Sequence, residues 1–327
     1  MRFRNGTTRE NEGEITAELK PNKEQSSRIF RTRHCPVADA MVHSVRYLTL
    51  STGEKIFYRE AGPTSAPAVL LLHGFPSSSH QYRNLIPILA RKYRVLAPDL
   101  PGFGFTEVSS DYVYSFDNFA KTIGRWLKEV PDAPSKYAIY IFDYGAPTGL
   151  RLALENPSAV TAVITQNGNA YVEGLGDAWA PIKQYWATGS KEDREAIRML
   201  TSADFTRFQY SMGLSDPSVV QPEAYTLDQA LLDRPGNVDI QLDIFYDYRK
   251  NVELYPRFQD YFRTSQVPLL AVWGEKDVLF IAAGAEAFKK DLPNAEVHLV
   301  DAGHFALETN LDEISELMLK FLEKYAA

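Results

Sequence analysis

The chain has 327 residues, 45% hydrophobic and 24% charged, close to ordinary globular composition and unlike a disordered or membrane-embedded chain. A formal net charge of −7 with no long Lys/Arg cluster argues against a nucleic-acid partner, which needs concentrated phosphate-neutralising charge. No apolar run approaches the roughly 20 residues of a spanning helix, so no membrane partner is expected, and a single cysteine, Cys35, forms no internal disulfide and suits a reducing compartment.

Residues 1–42 lack apolar periodicity, carry mixed charge and read as a polar extension outside the core. They hold no apolar region of the kind a secretory signal needs; the expected location is cytoplasmic, with the arginines leaving a mitochondrial address open. From residue 43 onward short apolar runs alternate with helix-period segments, the pattern of a mainly parallel sheet covered by helices. The predicted strands are "VRYLTL", "KIFYREA", "AVLLLH", "RVLAPD", "YAIYIF", "VTAVIT", "PLLAVW" and "EVHLV". Between them "HQYRNLIPILAR", "SFDNFAKTIGRWLKEV" and "PTGLRLALENP" place apolar residues three and four apart, as helices do. The alternation stops near Gln166 and resumes near Val267, a gap too long for a plain loop. Its Trp-, Tyr- and Leu-rich segments with helical spacing predict a helical cap over 168–267, inserted into a core made of 43–167 and 268–327.

Open parallel sheets bind ligands beyond the carboxyl ends of their strands. Asp143 follows "YAIYIF", Asp277 follows "PLLAVWGEK" and His304 follows "EVHLVDAG", in the order nucleophile, acid, histidine of the α/β-hydrolases. Each has a simpler reading when taken alone: the aspartates could cap the helices that follow, and His304 could be a satisfied buried imidazole. Three in order at strand ends favour one site. Gly145 and Ala146 supply the small neighbours that a tight strand-to-helix turn needs around Asp143. The turn "HGFP" after the third strand can aim the backbone N–H of Phe75 at that site, with the N–H of Tyr144 as a second oxyanion donor. Pro76 restricts Phe75 to extended conformations.

With these residues in place the chain resembles the aspartate-nucleophile branch of the α/β-hydrolases, which contains epoxide hydrolases and haloalkane dehalogenases. The similarity runs from about Val45 to Lys324 and rests on "HGFPSSS", "APDLPGFGFTE", "IFDYGAPTGLRLAL", "TQNGNAY", "LLDRPGNVDIQLDIFYDYRKN", "VWGEKD" and "GHFALET". These look closest to fungal and bacterial epoxide-hydrolase-like proteins. One departure is Ile141, two residues before the nucleophile, where the wider superfamily often has glycine. The resemblance implies a mostly parallel eight-stranded sheet with a helical cap, no metal and no organic cofactor.

An aspartate that attacked an ester would form a reactive anhydride, but at saturated carbon it can displace a leaving group to give an alkyl ester. His304, oriented by Asp277, would then activate water to hydrolyse that ester. Haloalkane dehalogenases commonly place a tryptophan directly after the nucleophile with an asparagine or second tryptophan, where this chain has Tyr144 and Phe75, and fluoroacetate dehalogenases place arginines around the nucleophile, where it has Tyr144 and Pro147. An epoxide needs a proton donor for its oxygen, which the family supplies from lid tyrosines. Tyr248 in "YDYRKN" matches one of them, and Tyr210 is the first choice for the other, ahead of Tyr171 and Tyr225. The expected function is opening of an epoxide on a small, apolar substrate to a vicinal diol. A dehalogenase with the same nucleophile is the nearest alternative, and a non-catalytic ligand receptor on the same fold is the alternative from another class. The sequence leaves the oligomeric state open.

Overall fold

The computed structural model describes residues 43–326. The polar extension assigned to residues 1–42, Cys35 included, lies outside the described residues. Eight strands form one sheet: β1 Ser44–Thr49, β2 Lys55–Ala61, β3 Ala68–Leu72, β4 Arg94–Pro98, β5 Tyr137–Phe142, β6 Val160–Gln166, β7 Leu269–Gly274 and β8 Glu296–Val300. Their spatial order is β1-β2-β4-β3-β5-β6-β7-β8. The β1–β2 and β2–β4 pairs are antiparallel, and every pair from β4 through β3 to β8 is parallel.

Burial on both faces accounts for the composition of the central strands, whose residues in β3 and β5 are all buried. With side chains alternating across the sheet, Leu70, Leu72, Ile139 and Ile141 join one apolar cluster while Val69, Leu71, Ala138 and Tyr140 join the other. The first cluster receives Phe119 and Ile123 of α2 (Phe116–Glu129) and Leu150 of α3 (Gly145–Glu155). The second receives Ile86 and Leu89 of α1 (Ile86–Leu89) and Ile314, Met318 and Phe321 of α12 (Leu311–Tyr325).

The segment between β6 and β7 holds α4 Ala180–Thr188, α5 Lys191–Ala196, α6 Ala203–Ser211, α7 Pro222–Leu232, α8 Asn237–Asp247 and α9 Arg249–Ser265, and contains no strand. Two short helices, α10 Ala283–Ala287 and α11 Ala306–Thr309, complete the core. Two predicted helices are broken. "HQYRNLIPILAR" divides into a 3-10 turn at Ser79–Tyr82 and the single-turn α1. In the predicted helical cap, the apolar-periodic stretch "IQLDIFYDYRKNVELYPRFQDYFR" breaks at Tyr248, where the ladder changes step: Tyr248 N–H donates to Ile244 O, four back, but Asn251 N–H donates to Tyr248 O, three back. Among the described residues no helix is long and apolar enough to cross a membrane.

Candidate active site

Asp143 follows the last residue of β5, has a left-handed backbone with φ 46° and is 5% exposed. Aspartate tolerates that region better than bulkier residues, though not without strain. The reversal brings the first residue of α3 against β3, where a Cβ on Gly145 would fall on the carbonyl oxygen of Leu72. Ile141 is accommodated by the helix that packs on it. A Cβ on Gly149 would stand only 2.6 Å from Ile141 Cγ2, so the space that the larger side chain occupies is released one turn into α3.

The loop after β3 meets Asp143 from the side. Phe75 N–H donates to Asp143 Oδ1 at 2.6 Å. Two bonds anchor the loop: Ser79 N–H donates to the buried Asp99 carboxylate at 2.7 Å, and Leu100 N–H donates to His73 Nε2 at 2.9 Å. The Phe75–Pro76 peptide is cis. Burial pushes the Asp143 carboxyl up to about 6, against the opposing pull of His304 and of the Phe75 and Tyr144 N–H groups.

His304 is fully buried between Phe142 and Phe280, and its Nδ1–H donates to Asp277 Oδ2 at 2.7 Å. Its Nε2 meets no hydrogen-bond partner. Burial disfavours the imidazolium, but the Asp277 charge and hydrogen bond, with Asp143 adding to them, outweigh it and raise the His304 pKa. Two residues at the end of β6, quoted above only within a larger motif, hold this pair. Asn167 Nδ2 donates to Asp277 Oδ2 at 2.8 Å while its Oδ1 accepts Gly274 N–H at 2.9 Å. Gln166 Nε2 donates to the carbonyl of His304 at 2.8 Å. Asp277 Oδ1 also accepts Leu279 N–H at 2.7 Å, so both carboxylate oxygens are engaged.

Asp143 opens into a cavity of about 170 Å³ enclosed by Phe75 and Tyr144 from the core, by Trp179 and Phe245 from the helical segment, and by Leu279 and Phe280. Tyr248 lies behind two of these residues, with its ring centroid 4.7 Å from that of Trp179 and 5.8 Å from that of Tyr144. Burial pushes its phenol well above the usual range, with Tyr255 and the Asp143 charge adding to the shift. Its hydroxyl lies 3.3 Å from that of Tyr255, which in turn accepts Asn169 Nδ2–H at 3.2 Å. Tyr255 was not among the residues picked out from the sequence; its place seven residues after Tyr248, two helical turns on, is the signal that points to it.

Tyr210 is a correction. The face of α6 turned to the cavity carries Phe205, Phe208 and Gln209, at the three- and four-residue spacing of one helical side. Tyr210 is one step further round. Its hydroxyl donates to Asp228 Oδ2 of α7 at 2.5 Å and its ring stacks on Phe305 at 3.8 Å, so it does not line the cavity. Neither do its substitutes: Tyr171 donates to Asp291 Oδ2 at 2.8 Å, and Tyr225 packs edge-on against Tyr210.

A model of the alpha/beta hydrolase fold family matches residues 67–311, and the chain belongs to that family. It is 48% identical over 273 residues to an uncharacterized hydrolase of Saccharomyces cerevisiae, covering 82% of this chain and 93% of that protein. A haloalkane dehalogenase of Mycolicibacterium paratuberculosis is 27% identical over 280 residues, 82% of this chain and 87% of that one. Among solved structures, an epoxide hydrolase from Vigna radiata superposes with a TM-score of 0.68 at 22% identity, covering 86% of this chain and 98% of its own, a likeness of fold.

Proposed function

We propose that this α/β-hydrolase opens an epoxide to a vicinal diol through an alkyl ester on Asp143, with the helical segment between β6 and β7 serving as the lid. The observation that carries the reading is the Asp143 carboxylate itself. It stands at the elbow with one oxygen already held at 2.6 Å by Phe75 N–H and with an unpartnered His304 Nε2 in the same site. In the first step Asp143 Oδ2 forms the bond to a ring carbon as the ring C–O bond breaks. Oδ1 becomes the ester carbonyl oxygen without leaving its donor. In the second step His304 Nε2 takes a proton from water, whose oxygen attacks the ester carbon; the charge arriving on Oδ1 meets the Phe75 and Tyr144 N–H groups. Collapse releases the diol oxygen, which takes the proton from His304, and the carboxylic acid left on Asp143 gives up its proton to restore the phenol that protonated the ring oxygen in the first step.

Two features favour an epoxide over a halide. A halide would use a pair of indole or amide N–H donors; three of the four indoles are spent on backbone carbonyls, Trp179 on Leu279 at 2.9 Å, Trp186 on Phe245 at 2.7 Å and Trp273 on Phe280 at 2.7 Å, which leaves Gln209 Nε2 as the single unpartnered amide donor on the cavity wall among the described residues. The fourth, Trp126, packs against Tyr58 in the sheet core. The phenols, in contrast, are arranged in series. Asn169 N–H donates to Tyr255, and the Tyr248 and Tyr255 hydroxyls lie 3.3 Å apart with either able to donate; when Tyr255 donates, the Tyr248 proton is free for the ring oxygen. A phenol with so high a pKa holds its proton until an alkoxide develops beside it.

Tyr248→Phe is therefore expected to slow ester formation from an epoxide by about 10²-fold or more, and Tyr255→Phe by less, since it removes support and not the donor. The test is product analysis after incubation with terminal and internal epoxides and with primary alkyl halides of matching length. Diol formation that falls in Tyr248→Phe supports the reading. Halide release without diol formation would replace it with the dehalogenase.

A further inference from the structure

The lid contributes one polar group to the cavity that the two steps above do not use. Gln209 shares the cavity-facing side of α6 with Phe205 and Phe208, and it is 2% exposed. Its Nε2 is buried without a hydrogen-bond partner among the described residues. A buried amide N–H without an acceptor is costly, and one that faces a cavity is completed there by an ordered water or by a ligand that displaces it. Apart from Asp143 and the phenol of Tyr144, the other residues around the cavity are apolar or aromatic, and no lysine, arginine or histidine lines it. An acceptor brought to Gln209 meets no cationic side chain on the cavity wall, which favours an uncharged one.

We infer that Gln209 is a specificity residue and that the substrate class is an epoxide carrying a second, uncharged acceptor oxygen, an ether or a carbonyl, on an otherwise apolar body. The inference rests on the reading of this cavity as the place where an epoxide meets Asp143. Its physical basis is asymmetric. A hydrocarbon epoxide leaves the Gln209 N–H unpaired in a dry site, whereas an ether or carbonyl oxygen at the right distance pairs it. Sites built to hydrogen-bond a substrate group discriminate strongly against analogues that lack it. The residue shapes binding and takes no part in bond making.

The test separates binding from chemistry. In an Asp143→Ala background, which cannot form the ester, binding is measured by quenching of tryptophan emission, since Trp179 lines the cavity. The probes are 1,2-epoxyhexane and two analogues with one chain methylene replaced by oxygen, ethyl glycidyl ether and (2-methoxyethyl)oxirane. At least one ether is expected to bind about tenfold tighter or more than the hydrocarbon, with the advantage lost when Gln209→Leu is added. Gln209→Met, which keeps the length and flexibility of the side chain, is expected to behave like Gln209→Leu and serves if the leucine variant does not fold. Equal binding of all three probes, an advantage that survives both substitutions, or no binding of any probe overturns the inference. Turnover of the same compounds by the unaltered protein is scored separately. Ether preference without diol production would sink the epoxide chemistry and leave the subsite standing; diol production without preference would do the reverse.

Discussion

Asp143→Ala is expected to abolish turnover, lowering kcat/KM by at least about 10⁴-fold, because no other group in the site can carry the ester. Alanine is the better probe, since an asparagine there could be deamidated by the neighbouring water and base. The same carboxylate sets the pH dependence of the first step. Attack needs the ionised form, and burial has moved the carboxyl from 3.8 up to about 6. The rate of ester formation should therefore rise with pH and level off above about 6. The shift also has a sign for stability. A carboxyl whose folded pKa is raised is better tolerated neutral, so the fold loses stability as pH rises from 3.8 through about 6, by up to about 3 kcal/mol. The left-handed backbone at φ 46° adds strain that glycine would not feel. Asp143→Gly should thus be inactive yet melt above the parent at pH 8, with the gap narrowing at pH 4.5 where the parent carboxyl is neutral. Parallel melts at the two pH values check this; a variant that melts below the parent at pH 8 would mean that the carboxylate stabilises the fold.

The sheet was legible because its strands are bounded apolar runs, and all eight predicted runs coincide with β1 to β8. The positions of Asp143, Asp277 and His304 followed from the same regularity, as each lies just past a strand end, where a parallel sheet gathers its loops. The segment between β6 and β7 was legible only as helical. Its long amphipathic stretch breaks at Tyr248 because a change from four-back to three-back hydrogen bonding leaves no mark in the apolar spacing. The direction in which Tyr210 points is hidden for a related reason. One residue along a helix is a rotation of about 100°, and nothing in "RFQYSMG" says which side meets the cavity, so the tyrosine turns to Asp228 and the glutamine turns inward. Asn167 escaped notice because its work is done across the sheet, on a carboxylate 110 residues away. Ile141 shows the converse: a departure visible in the sequence whose remedy, the close approach of Gly149, needs three dimensions to see.

His304→Gln is expected to stop turnover while leaving the first step intact, so that the protein consumes one equivalent of epoxide and halts. Attack by Asp143 requires no base, whereas the ester has only water to hydrolyse it and water needs His304 Nε2 to take its proton. The electrostatics of the pair reinforce the division of labour. In the free protein Asp143, together with Asp277, raises the His304 pKa, which favours the imidazolium and opposes its use as a base. Esterification removes the Asp143 charge. His304 then loses one of the influences holding its proton at the moment when a neutral Nε2 is needed, and the Nδ1–H bond to Asp277 keeps that nitrogen turned into the site. Glutamine preserves much of the volume and a hydrogen-bonding group but no base of suitable pKa. Intact-protein mass measurement of His304→Gln after exposure to an epoxide that the parent turns over should show the added mass of one substrate molecule, mapped to the peptide that holds Asp143. Because the alkyl ester carries the substrate's own oxygen as a free hydroxyl, the added mass equals the whole epoxide; a dehalogenase intermediate would add the mass of the alkyl halide less that of hydrogen halide. Unmodified protein under those conditions would remove His304 from the second step and the covalent ester from the mechanism.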